Sequence, residues 1–363
     1  MTRLLGLDVA RAVAVAGMVI VNFKVVMFAG GRGPGWLQGL AGIPDGWAPA
    51  AFVMLGGIGL ALMAAPARRD RDLGSLERTR RLILRRALFL LVAGYLFILI
   101  WPADILHHYA ACTAIGAALV AASDRALWWW GALAAALFSG LYTFAGYWDQ
   151  LDAVNLTYRA LWTPVGIVRD MVFNGWHPVL PWVAFFLAGM WLGRRNLADG
   201  RVRWRIAAVA AAVAAVAEIF ARFHQPITFD IVATGPSSLG LVAGNRALLA
   251  AEPLPPGPVF LLAAGGVAVV VIMFCVEAGI RWPQSRPVRW AAHTGGMAMT
   301  VYFAHVLLGM GSLKAVGELH SQPLWFALAT AGVFLAAAVF CSVLWRRRFS
   351  SGPVERLMRR LGG

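Results

Sequence analysis

Residues 257–280 read GPVFLLAAGGVAVVVIMFCVEAGI, a run whose single charged side chain is Glu277. That length and polarity match the ~20 apolar residues a helix needs to cross a hydrocarbon layer ~30 Å thick. Nine further runs of near-spanning length fall at 12–30, 47–66, 87–103, 106–122, 126–147, 178–193, 206–222, 294–312 and 323–345. The whole chain is 60% hydrophobic and 13% charged, against about 25% charged in an ordinary soluble domain. A water-soluble fold cannot cover that much apolar surface. The fold class predicted is therefore all-α, a polytopic integral membrane bundle of about ten transmembrane helices.

Charge sets the orientation of such a bundle. Eight arginines lie in 67–86, five in 194–205, three in 281–290 and six from Arg346 onward. The connections that alternate with these carry only Lys24, Arg32, Arg159, Arg169, Arg222, Arg246 and Lys314. Because cytoplasmic loops hold the excess of Lys and Arg, an N-in/C-in arrangement satisfies every loop. We expect one transmembrane domain over 1–363 in a bacterial inner membrane. It has a cytosolic basic loop at 67–86, a cytosolic tail at 346–363, and outer segments at 148–177 and 223–256. The net charge of +15 then faces anionic lipid headgroups, and no nucleic-acid partner is implied. The start, MTRLLGLDVARAVAVAGMVIVNF, reads as a retained first helix, since Asp8 and Arg11 interrupt any signal-peptide pattern. Cys112, Cys275 and Cys341 are scattered in apolar runs, so neither a disulfide framework nor a metal site is expected. The halves show no internal repeat and no matched pair of broken helices. A homodimer is compatible with the sequence.

Within this topology the histidines are unevenly placed. His107, His108, His177, His224 and His320 fall at outer helix ends or in outer loops, and His305 lies in the middle to outer half of the ninth helix. Only His293 is on the cytosolic side. Histidine changes charge near neutral pH and serves as a general acid or base. The stretch WPADILHHYA adds Asp104, three and four residues before His107 and His108, so one helical turn brings a carboxylate to either ring. Asp104 also reads as a helix N-cap after Pro102. Asn22, at the end of the first apolar run, needs a partner in lipid. A helix–helix hydrogen bond is the plainest one. Imidazole is equally at home at membrane interfaces, so location alone does not make a site.

Four stretches resemble a known family. GLDVARAVAVAGMVIVNF is similar to the first helix of heparan-α-glucosaminide N-acetyltransferase-like and YeiB-like membrane proteins, written LD-x-x-RG-x-x-x-x-x-M-x-x-VN. Leu7, Asp8, Arg11, Met18, Val21 and Asn22 match, and Ala12 replaces the usual Gly. DILHHYA (104–110), NGWHPVLPWVAFFLAGMWLGR (174–194) and GMAMTVYFAHVLL (296–308) resemble three later elements of the same group, in order.

The resemblance implies a transmembrane acyltransferase. Its donor would be cytosolic acyl-CoA, acetyl-CoA first of all. Its acceptor would be a small molecule or glycan bearing a hydroxyl or amine on the far side. Arg80, Arg81, Arg85 and Arg86 are the candidates for the CoA phosphates, which guanidinium groups grip bidentately. His107 or His108, oriented by Asp104, is the candidate base, and Asn22 would position substrate or stabilise an oxyanion. His305, His177, Trp176 and Tyr109 are candidate acceptor contacts. The acetyltransferase branch carries a catalytic His in the loop after its first helix, whereas residues 23–106 here contain none. The competing reading is a proton-coupled transporter or flippase, in which the same titratable groups form a relay.

Overall fold

A computed structural model describes residues 4–152, 156–224 and 245–362. Residues 225–244, the larger part of the expected outer segment 223–256, lie outside the described residues. Helix dominates, and the β-structure among the described residues is one hairpin of Leu151–Asp152 (β1) against Thr157–Tyr158 (β2). The first helices are α1 (Leu5–Val26), α2 (Gly35–Gly42), α3 (Trp47–Arg69), α4 (Leu73–Ile98), α5 (Leu106–Ala118) and α6 (Asp124–Phe144). After the hairpin come α7 (Pro164–Arg169), a π-turn over Asp170–Asn174, α8 (Val179–Leu192) and α9 (Gly200–Phe223). Then follow α10 (Pro258–Arg281), α11 (Arg286–Gly295) and α12 (Ala298–Ala304), which runs through a second π-turn, His305–Met310, into α13 (Gly311–Ala315). The chain closes with α14 (Leu324–Arg346) and α15 (Pro353–Gly362).

Six stretches are long and apolar enough to cross a membrane: α1, α2–α3, α6, α9, α10 and α14. Two bent pairs, α7 with α8 and α11 with α12–α13, raise the number to eight. The chain is a multi-pass membrane protein. Two of the ten expected runs fall outside this set. Run 87–103 belongs to α4, whose first fourteen residues carry Arg78, Arg80, Arg81, Arg85 and Arg86. Run 106–122 forms only the 13-residue α5, about 20 Å long at 1.5 Å per residue and short of a full crossing. The structure contains two bent pairs, whose axes turn by 50° and 73°, where the sequence showed no matched pair of broken helices.

The chain folds as two compact units, residues 1–52 with 270–357 and residues 53–269 with 358–363. In the first, glycines let backbones touch: a Cβ on Gly295 would strike the Asp8 carbonyl, and one on Gly6 would strike Val276. Small residues at such contacts are how helices associate in lipid, where no hydrophobic force drives them together. The break between α11 and α12 leaves the first N–H groups of α12 without helical partners. Glu355 supplies them: its Oε1 accepts from Met299 N at 2.8 Å and Thr300 N at 3.1 Å, and its Oε2 accepts from the Thr300 hydroxyl at 2.5 Å. A carboxylate there also meets the positive end of the helix dipole.

The second unit uses the same devices. A Cβ on Gly57 would strike the Phe186 carbonyl and one on Gly189 the Met54 carbonyl, so α3 and α8 lie backbone to backbone. Gly94 brings α4 so close to α5 that its Cβ would stand 2.5 Å from His107 N. Arg80 closes the far end of α5, donating to the carbonyls of Ala117 at 3.1 Å and Ala118 at 2.9 Å.

Glu355→Ala removes the acceptor for a broken helix end. Hydrogen bonds to a charged group contribute about 1.5–3 kcal/mol each, so we expect a clearly lowered melting temperature in detergent, with Glu355→Gln falling in between. Thermal unfolding of the purified variants checks this.

Candidate functional site

Two polar centres are built into the helices, one in each unit. In the first unit, Asn22 stands in the last turns of α1, and His305 opens the π-turn that follows α12. They are 283 residues apart in the chain, yet Asn22 Nδ2 lies 3.0 Å from His305 Nε2. His305 is wholly buried. Its Nδ1 bonds the Tyr302 carbonyl, and a carbonyl only accepts, so Nδ1 carries the proton. Nε2 therefore presents a lone pair, and the Asn22 amide donates to it. The result is a neutral imidazole with its basic nitrogen held toward a neutral donor. π-turns of this kind are frequent at functional sites because the extra residue re-aims a side chain.

The second unit holds the histidine pair. Asp104, His107, His108 and Asp170 are all buried, at 0%, 1%, 2% and 3% exposure. Asp104 Oδ2 accepts from Leu106 N at 2.7 Å, a turn one residue ahead of the N-cap, which is Ile105, so Asp104 shapes the head of α5 without being the N-cap that the sequence suggested. The same oxygen is 3.5 Å from His107 Nδ1. On the other side of that ring, Nε2 is 3.0 Å from Asp170 Oδ2. His107 is thus held between two carboxylates. His108 Nε2 donates to the Asp170 backbone carbonyl at 3.1 Å and lies 3.9 Å from its Oδ2.

Asp170, which was not among the expected site residues, opens the π-turn between α7 and α8. The turn is fixed by the Tyr158 hydroxyl donating to Asn174 Oδ1 at 2.8 Å and by Asn174 Nδ2 donating to the Tyr147 carbonyl at 2.9 Å. Its only sequence signal is a lone acid inside the apolar stretch GIVRDMVFNGW.

The other expected residues distribute differently. His177 is adjacent, its ring centroid 6.2 Å from that of His108 and 4.7 Å from that of Trp182. Trp176 donates its indole N–H to the Leu156 carbonyl at 3.0 Å, a structural bond. Tyr109 packs its ring against Phe186 and over Gly56. Of the four arginines expected to bind phosphate, Arg80 caps α5 and Arg81 lies 3.6 Å from Glu77. Arg86 is half-buried beside Met63 and Gly362, and Arg85 is exposed. Two apolar cavities, of about 600 and 730 Å³, occupy the first and second unit respectively, and no histidine lines either.

Comparison with known proteins matches residues 3–227 to the family model described as Heparan-alpha-glucosaminide N-acetyltransferase, catalytic, and residues 257–362 to Protein of unknown function (DUF418). None of the curated proteins compared matches the chain.

Gly175 decides how tightly the second centre closes. A Cβ there would stand 2.6 Å from Asp170 Oδ1 and 2.7 Å from His108 Nε2. Its φ of −73° suits any residue, so the conflict is one of space alone. Gly175→Ala is expected to destabilise by about 1–3 kcal/mol through overpacking, read as a lower melting temperature, whereas Gly140→Ala, with nothing within 4 Å of its Cβ, should not.

Proposed function

Because this chain belongs to the heparan-alpha-glucosaminide N-acetyltransferase catalytic family, we propose that it is a transmembrane acyltransferase. It moves an acyl group, acetyl first of all, from cytosolic acyl-CoA to a hydroxyl or amine of a sugar-like acceptor on the periplasmic side of a bacterial inner membrane. The N-in/C-in arrangement of about ten helices belongs to the same proposal, with α4 and α5, the latter lengthened by the turn residues that follow it, completing the crossings.

The observation that carries this reading is the Asn22–His305 pair. The related enzymes draw a histidine from the loop after the first helix, and this chain has none there. His305 supplies an imidazole beside the first helix from the far end of the sequence. Its tautomer leaves Nε2 free to take the acceptor's proton once Asn22 turns aside. The acceptor oxygen or nitrogen attacks the thioester carbonyl carbon, the C–S bond breaks, and the proton held on Nε2 passes to the departing CoA thiolate. The freed Asn22 amide is then a donor for the negative charge that develops on the carbonyl oxygen. This geometry favours His305 as the base over His107, both of whose nitrogens face carboxylates. Arg81 and Arg85, on the exposed side of α4, are the better candidates for the CoA phosphates, since Arg80 is engaged at the end of α5.

One observation favours a proton-coupled transporter as a second reading. Each bent helix pair carries a π-turn that begins at a buried titratable residue, Asp170 in one and His305 in the other. Interrupted helices with titratable groups are a common feature of secondary transporters.

Protein reconstituted in lipid nanodiscs with acetyl-CoA and an amino-sugar acceptor separates the two. Acyl transfer predicts acceptor-dependent release of free CoA thiol. His305→Ala should reduce it by about 10²–10⁴-fold and Asn22→Ala by about 10²–10³-fold, with both variants still folded. Acceptor movement across proteoliposomes without any acetyl-CoA requirement would instead establish transport.

A further inference from the structure

The second centre has a composition that acyl transfer does not use. Two carboxylates and two imidazoles are packed together with almost no exposure, and among the described residues the groups within 4 Å of the Asp170 carboxylate that can carry positive charge are His107 and His108. Burying carboxylates is expensive unless a cation compensates them. A ligand atom from each of His107, His108 and Asp170 lies within 4.8 Å of the other two.

We propose that His107 Nε2, His108 Nε2 and the Asp170 carboxylate form a binding site for one divalent first-row metal ion, of which zinc is the best fit. Zinc takes imidazole nitrogen and carboxylate oxygen at ~2.0–2.2 Å in a tetrahedron, which places neighbouring donors about 3.4 Å apart. The two distances from Asp170 Oδ2, 3.0 Å to His107 Nε2 and 3.9 Å to His108 Nε2, bracket that spacing. Small side-chain shifts would therefore seat the ion without rebuilding the helices, once His108 gives up its Nε2 bond to the Asp170 carbonyl and carries its proton on Nδ1.

The surroundings fit as well. Asp104 stands 3.5 Å behind Nδ1 of His107. A metal-bound imidazole characteristically gives its other N–H to a carboxylate, which fixes the ring and strengthens it as a ligand. Asp104 is itself held by the Leu106 N–H. Gly175 lets the backbone approach Asp170 and His108 closely, since a Cβ there would stand 2.6 Å from Asp170 Oδ1 and 2.7 Å from His108 Nε2.

Three protein ligands leave a fourth position for water or a substrate oxygen. His177 is the neighbour able to bond such a ligand: its ring is 6.2 Å from that of His108, and its buried Nδ1 has no hydrogen-bond partner. The site is independent of the Asn22–His305 reaction and stands whether or not that reaction occurs.

The test uses full-length protein carrying an affinity tag without histidines, stripped with a chelator, loaded with zinc and equilibrated against a chromophoric competitor. We expect about one tightly held zinc per chain, lost in Asp170→Asn and in His108→Ala but kept in His224→Ala, whose imidazole is exposed. Asp104→Asn should keep the metal with affinity lowered about 10–100-fold. A measurement on the unmodified protein guards against variants that fail to fold: its melting temperature should rise with zinc and fall back on chelation. Wild-type protein that holds no zinc against the competitor and shows no zinc-dependent melting shift would overturn the proposal. So would zinc retained in full by a folded Asp170→Asn.

Discussion

In hydrocarbon a backbone N–H or C=O without a partner costs several kcal/mol, so any interruption of a helix must be repaired on the spot. This protein interrupts two of its helix pairs and repairs both with its own groups. Between α11 and α12, the Glu355 carboxylate takes the open N–H groups of Met299 and Thr300. Between α7 and α8, Gly175 N donates back to the Asp170 carbonyl, while Asn174 and Tyr158 hold the loosened turn. Each repaired region also contains a π-turn opened by a buried titratable residue. Once the regular ladder is broken, a side chain can be aimed where a continuous helix would not put it.

Close packing does the rest. Lipid tails are as apolar as leucine, so helices here gain by fitting rather than by escaping water. Glycines at 6, 57, 94, 189 and 295 let backbones meet with no side chain between them. Gly94 matters most for chemistry, because it draws α4 against the first turn of α5, where His107 begins. Arg80, at the other end of α5, shows how one cation can serve a fold: it takes the last carbonyls of a helix instead of remaining available to a phosphate.

Much of this was legible in the residues. Runs of apolar side chains announced the spans, since hydropathy sums along a segment whatever its neighbours are. The breaks at Gly295–Met297 and at Gly175–Pro178 were not legible, because membrane helices tolerate Gly and Pro and the same letters occur in unbroken spans. Asp104, His107 and His108 could be grouped because they share one turn. Asp170 could not, because it reaches His107 from a different helix, 63 positions along the chain. Asn22 and His305 each stood out within a family-like motif, but nothing in either motif said that they touch.

The sequence by itself determined the class of molecule: helical, multi-pass in a membrane, and a member of an acetyltransferase-related family. These follow from local length, polarity and motif, which survive any rearrangement of the helices. Only the tertiary structure decided which polar groups meet, that Asn22 holds His305 and that Asp170 closes on the histidine pair. A buried polar group in a low-dielectric interior must find its partner across helices. Which partner it finds is set by where those helices bend and how closely their glycines let them approach.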